Sequence, residues 1–277
     1  MQGWNPLDWS ANAYLGFHAM AFVACLILGA AIQNGMRPEG RAGVLQGAED
    51  TALLAGGPIR FLQAVATALL ADGRLVMADN GKRLMRPAMA GAGSAGSTAA
   101  ERMMLGRPGM IELRQLKRVM REPLQGVKRD LQMRGLMMDS GDERLIRFTQ
   151  AAPLFMLLLF GLERMRLGVI RDESIGFLVF FEIATAIAML LRFFAIDPAT
   201  VQGKAEVAAA KVRGERLRRA PREPEMAQAV ALFGPAALAG TALNPFHQMF
   251  ANNSSGGCGS DGGGSGCGGG GCGGCGG

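Results

Sequence analysis

The sequence predicts a mainly α membrane protein: three spanning helices, a cytoplasmic helical domain of two winged-helix-like units in tandem, and a disordered Gly/Cys tail. Three observations lead there. One long apolar stretch precedes a basic segment and a pair of such stretches follows it, each near the roughly 20 residues a helix needs to cross a bilayer core. Lys and Arg flank those stretches mainly on one side, the outer link holding Arg171 balanced by Asp172 and Glu173. The chain closes on a run made almost wholly of Gly and Cys, which cannot bury apolar area. Bulk composition says less. A hydrophobic content of 49% suits many soluble proteins, because 41 glycines dilute the average.

Residues 1–12 form a short external N-terminus carrying Asp8 and no Lys or Arg. The first span covers residues 13–34. A cleaved signal peptide would show a basic leader and an apolar run of roughly 7–15 residues. This leader has no base, and Trp4, Trp9 and Tyr14 read as the aromatic belt at a headgroup region. Orientation follows from the charges. Arg37 and Arg41 follow span 1, Arg144 and Arg147 precede span 2, and Lys204, Lys211, Arg213, Arg216, Arg218, Arg219 and Arg222 follow span 3. Placing residues 35–147 and the C-terminal region inside, with the N-terminus and the link 171–174 outside, satisfies the positive-inside rule.

The loop 35–147 reads as two units, about 48–88 and 98–147. Apolar residues at helical spacing run from Ala48 to Ala71, broken by Gly56-Gly57-Pro58. Leu75-Val76-Met77 is a short extended piece and Asp79-Asn80-Gly81 a turn. Ala90–Ser97 is a Gly/Ala/Ser linker, followed by helices over Thr98–Leu105, Ile111–Arg121 and Leu124–Arg134. The segment 133–145 echoes 71–84: a helix ends at Gly, an apolar strand follows, and an Asp-x-Gly turn leads on. This echo suggests a second hairpin. The second unit carries Arg114, Lys117, Arg118, Arg121, Lys128, Arg129 and Arg134, a potential phosphate-binding stripe. Interleaved Glu112, Glu122, Asp130, Asp139, Asp142 and Glu143 dilute it, so nucleic-acid binding is disfavoured.

Span 2 covers 148–170 and span 3 covers 175–196. Their charges define an intramembrane polar layer: His18, Glu163, Arg164, Arg166 and Glu182, all within the outer third of the bilayer at 1.5 Å per residue. Glu163 and Arg166 share a helix face. A charge at mid-span costs roughly 2.5–3.5 kcal/mol on insertion scales, so Glu182 needs a partner. In one reading His18 and Glu182 handle a proton or ion. In the favoured, plainer reading Glu182 neutralises Arg164 or Arg166 and fixes which faces meet. Arg192 snorkels to the inner headgroups, and Cys25 is a small packing residue.

Residues 197–253 comprise a basic juxtamembrane helix, drawn to anionic lipid, and an apolar segment 226–243. Gly234-Pro235 within that segment favours a helix lying on protein or membrane over a fourth span. The tail 254–277 holds Cys258, Cys267, Cys272 and Cys275. These thiols are candidate ligands for zinc or another thiophilic metal. The gaps between them are irregular, and the tail also suits enzymatic Gly/Cys modification.

Asn5-Pro6-Leu7-Asp8, Leu54-Ala55-Gly56-Gly57-Pro58, Gly176-Phe177-Leu178, Val230-Ala231-Leu232-Phe233-Gly234 and the Gly/Cys terminus fit one pattern. On these the chain resembles a family of uncharacterised bacterial membrane proteins with Gly/Cys-rich C-terminal regions. The resemblance spans nearly the whole chain. It implies a multi-pass protein of the bacterial inner membrane and carries no activity or site residue with it.

No Gly-rich phosphate loop, H-E-x-x-H or G-x-S-x-G occurs, and His18 and His247 lie in separate regions. The reading is therefore non-enzymatic: a membrane anchor or scaffold whose cytoplasmic domain meets a protein partner. Alternatives are a membrane-tethered nucleic-acid regulator, a precursor modified on its tail, and a transporter component using His18 and Glu182. A transport path through three spans would call for a homo-oligomer.

Overall fold

The computed structural model describes residues 9–78, 83–85, 98–106, 110–111, 116, 118–170 and 176–254. The protein is mainly helical. Helix α1 runs Ala11–Gly35 and α2 runs Ala48–Ala71. Strands β1 (Val76–Ala78) and β2 (Arg83–Met85) follow, then α3 (Ala99–Leu105), β3 (Met110–Ile111) and α4 (Arg121–Met133). The long helices α5 (Ser140–Ile170) and α6 (Gly176–Phe194) come next. After them stand α7 (Val201–Arg213), α8 (Glu215–Arg219), α9 (Met226–Phe233) and α10 (Asn244–Ser254).

Among the described residues four helices are long and apolar enough to cross a membrane: α1, α2, α5 and α6. They are not alike in packing. The most apolar windows of α1, α5 and α6 are 11%, 33% and 17% buried, whereas that of α2 is 61% buried. The first three present rows such as Met20, Val23 and Ile27, or Phe177, Phe180 and Ile183, to the surroundings. Helix α2 instead buries Phe61, Leu62, Val65 and Leu69 in a core shared with Met104, Leu131, Val230, Leu238 and Phe246. Its breaking motif acts as the sequence indicates. Gly56 and Gly57 leave helical geometry, Gly57 at φ +68, ahead of Pro58, a conformation that costs a side-chain-bearing residue dearly.

Two sequence expectations are corrected. The loop does not divide into two hairpin-bearing units. The three strands form one antiparallel sheet in the order β1-β2-β3, with Leu84 opposite Ile111, so both halves share it. Met110–Ile111 is a strand, so the helix expected over Ile111–Arg121 does not take in Ile111, whereas Leu116, Arg118 and Val119 are helical. The second anticipated hairpin is absent: Met137 bridges to Ala199 instead, and α5 starts at Ser140 with Asp142 and Glu143 in its first turn. Leu136 N and Met137 N bond back to Leu131 O, while Met138 N donates to Pro198 O and Leu136 O accepts from Thr200 N, both beyond α6, which removes any need for a local return strand. The stretch 148–170, expected as span 2, is accordingly the C-terminal part of a helix that starts at Ser140.

Residues 226–243 lie on protein. Helix α9 packs along α2, with Ala229, Val230 and Ala231 wholly buried, and ends at Gly234 (φ +83) before Pro235. The segment after 197 therefore contributes Val230, Ala231, Leu238 and Phe246 to the same core as α2. The turn 79–81, the linker 90–97, the link 171–174, residues Arg114 and Lys117, and the four tail cysteines lie outside the described residues.

Candidate functional site

Helical spacing assembles a polar cluster between α1, α5 and α6. Tyr14 and His18 are one turn apart on α1; Leu154, Leu157, Gly161, Arg164 and Gly168 line the inner face of α5; Leu178, Glu182 and Thr185 line that of α6. Tyr14, His18, Arg164, Glu182 and Thr185 are each no more than 6% exposed.

His18 Nε2 stands 3.6 Å from Glu182 Oε1 and 3.4 Å from Thr185 Oγ1. The Thr185 hydroxyl gives its hydrogen to Phe181 O at 2.8 Å. Its oxygen therefore faces His18 as an acceptor, which assigns a proton to Nε2. Gly161 makes the room: a Cβ there would fall 1.5 Å from Glu182 Oε1. His18 Nδ1, the Tyr14 hydroxyl and both Glu182 oxygens have no hydrogen-bond partner among the described residues.

The five-residue layer expected from the sequence is divided. His18, Glu182 and Arg164 join the cluster, and Glu163 and Arg166 do not. The latter pair with each other at 3.8 Å with side chains 63% and 75% exposed. Arg164 donates to Trp9 O at 3.0 Å and lies 5.6 Å over the Tyr14 ring. Among the described residues Glu182 faces His18, 3.6 Å away, and is not bonded to Arg166. The helical phase explains this: Arg166 sits two residues, about 200°, from the buried Arg164 position. Tyr14 is likewise inside the bundle rather than in a headgroup belt, 6.0 Å from the His18 ring and stacked at 6.3 Å on Phe160.

A second polar layer closes the other end of the bundle. Gln150 Nε2 donates to Arg192 O at 2.6 Å, and the Arg192 guanidinium donates to Leu26 O at 2.9 Å instead of reaching outward. The Cys25 thiol donates to Pro153 O at 3.5 Å, a packing contact. Gly29 lets α1 approach α5, since a Cβ there would be 2.9 Å from Gln150 O. Small residues at such crossings are what close helix approach requires.

Below that layer the ends of all three helices are knotted to the domain. Met138 N donates to Pro198 O at 2.8 Å, Thr200 N to Leu136 O at 3.1 Å, Val201 N to Pro38 O at 3.1 Å, and Arg41 N to Gly135 O at 3.2 Å. Thr200 caps α7 by accepting from Gly203 N at 3.1 Å, and its hydroxyl lies 3.0 Å from the carbonyls of Gly135 and Leu136. Arg37 donates to Ala199 O at 2.5 Å and stands 3.5 Å from Asp197, which also holds Lys204 at 2.7 Å. Gly40 and Gly203 leave no space for a Cβ against these carbonyls. Sequence reasoning missed this junction; the only local hint is Thr200 placed before a helix as an N-cap.

On the domain, several expected phosphate-seeking bases are already engaged. Arg134 bonds Asp50 at 2.6 Å and also Asp130, and Lys128 bonds Glu143 at 3.0 Å. Burial pushes the Glu49 carboxyl above its ordinary range, with the Thr98 hydroxyl, which donates to it, pulling the other way. Among the described residues no three His, Cys, Asp or Glu side chains stand together as a metal site. The thiols proposed for zinc, Cys258, Cys267, Cys272 and Cys275, lie outside the described residues. Comparison with protein-family models, with curated proteins and with solved structures gave no match.

Proposed function

We propose that the chain is a non-enzymatic anchor of a bacterial inner membrane. Helices α1, α5 and α6 thread the lipid, the N-terminus lies outside, and a cytoplasmic domain built from residues 35–147 and 197–254 is held out for a protein partner. The junction around Thr200 carries this reading. It gathers the end of α1, the start of α5 and the end of α6 at one place, as three passes with these ends on one side require. Arg37, Arg41, Arg144, Arg147 and Lys204 belong to the same side, in keeping with a cytoplasmic face. Helix α2 suits the domain core better than lipid: it is broken in its middle and buries Asp50, Gln63 and Thr67 beside apolar neighbours. The nucleic-acid reading loses support, because Lys128 and Arg134 are occupied by carboxylates.

The test is photocrosslinking in intact cells from the exposed domain positions Arg129 and Arg144. Recovery of one specific protein at both positions is the expected result. Crosslinks to lipid or to nothing would remove the scaffold reading.

A further inference from the structure

We propose that His18 and Glu182 form a proton-binding site inside the membrane bundle, holding one exchangeable proton between α1 and α6. This goes beyond an anchoring role, which needs no such pair.

Geometry carries the argument. Glu182 and His18 face each other at 3.6 Å, buried to 6% and 0% exposure, and both carboxylate oxygens and Nδ1 have no hydrogen-bond partner among the described residues. A carboxylate kept only as a structural tie would be expected to accept donors from the helix it meets. Here α5 offers Gly161 at that point, a residue with no side chain to donate, and the carboxylate fills the hollow. Among the described residues the groups facing the pair are few. Helix α1 supplies Tyr14, α5 supplies Arg164, stacked over Tyr14 and bonded to Trp9 O, and α6 supplies Thr185. Glu163 and Arg166 are exposed and turned away.

A proton suits this set and a hard metal cation does not. Such cations take about six or more oxygen ligands. Among the described residues the side-chain oxygens here are four, two from Glu182 and the hydroxyls of Tyr14 and Thr185, too few for such a cation. Imidazole and carboxyl together hold one proton with zero net charge, the cheapest state for two ionisable groups away from water. Thr185 directs Nε2 toward the carboxylate and leaves Nδ1 as the second proton position.

The test uses full-length protein in native membranes and two carbodiimides. Apolar dicyclohexylcarbodiimide enters the bundle. The protonated carboxyl adds across one C=N bond, its proton going to nitrogen and its oxygen to the central carbon. Acyl transfer from oxygen to the other nitrogen then gives a stable N-acylurea with no atom lost. Peptide mapping should place one adduct on Glu182, absent in Glu182→Gln. A water-soluble carbodiimide should spare Glu182. Between about pH 5 and about pH 9 the labelling rate should fall, approaching about tenfold per pH unit above the site's midpoint. His18→Gln should displace that midpoint by about one pH unit or more, and Thr185→Val by less. A purely structural contact would leave the profile in place. Absence of label on Glu182 across this range, a rate flat with pH, or an unchanged midpoint in both His18→Gln and Thr185→Val would overturn the proposal. None of these outcomes bears on where the domain lies, so the anchor reading stands or falls separately.

Discussion

Replacing Gly203 with Ala sets two physical effects against each other. Gly203 is in the first turn of α7, where Ala ordinarily gains up to about 1 kcal/mol over Gly. Here an added Cβ would sit 2.1 Å from Leu136 O and 3.1 Å from its carbon. Backbone cannot yield as a side-chain tip can, so α7 must retreat by about 1 Å to restore an ordinary contact. That retreat stretches the Thr200 N to Leu136 O bond, now 3.1 Å. Overpacking costs about 1–3 kcal/mol and a lost hydrogen bond about 1 kcal/mol. Set against the propensity gain, the net loss is about 2 kcal/mol, or about 30-fold in a local opening equilibrium. Amide hydrogen exchange in detergent micelles reads it directly, at the amides of Met138, Thr200, Val201 and Gln202, whose acceptors lie across the junction. Those amides should lose about 10- to 100-fold protection while mid-helix amides of α5 and α6 keep theirs. Unchanged or increased protection in Gly203→Ala would show that the junction does not bind the helices to the domain.

Gly126→Ala, at an exposed α4 position with open space around it, should raise thermal stability by up to about 1 kcal/mol; a loss would fault the packing described for α4. Gly161→Ala should lower the unfolding midpoint of the bundle in detergent by the equivalent of about 1–3 kcal/mol, because Glu182 occupies the space its methyl group needs. Arg134→Ala, which strips a buried Asp50 of its guanidinium partner, should cost about 2 kcal/mol in domain stability by denaturant titration. The raised carboxyl of Glu49 means that the native domain binds more protons than the unfolded chain between the ordinary glutamate value and its own. Its contribution is therefore greatest in acid and is lost as pH rises through the folded value. Glu49→Gln should flatten that slope in pH-dependent melts, and an unaltered slope would exclude Glu49 as its source.

Local chemistry and periodicity made much of the architecture legible. The break at Gly56-Gly57-Pro58 and the pause at Gly234-Pro235 are written in Gly, which takes a positive φ that other residues avoid, and in Pro, whose φ is fixed, and the extended piece near Val76 follows from its short apolar run. His18 and Glu182 stood out because ionisable residues are rare in apolar helices. What stayed hidden depends on partners far along the chain. The hairpin expected at 136–141 is locally plausible, and only the bonds to Pro198 and Thr200, which set Met137 opposite Ala199, show why the chain does not turn there. Glu182 was expected to pair with an arginine by charge, whereas helical phase sends Arg166 outward and gives Glu182 to His18. Gly161, Gly40 and Gly203 looked like any other glycines, since what their missing side chains make room for lies elsewhere in sequence. For 226–243 the sequence left protein and membrane open as the surface it lies on, because its apolar face is complete only against α2.

The central claim is that three helices cross the membrane while α2, of comparable length and mean hydropathy 1.5, does not. Single cysteines at Gln46 and Asp72, exposed residues flanking α2, in a chain whose own cysteines are serine, decide it with a membrane-impermeant maleimide. Both positions should be protected in intact cells and both should react once the membrane is permeabilised. Reaction of either one from outside the intact cell would contradict the account.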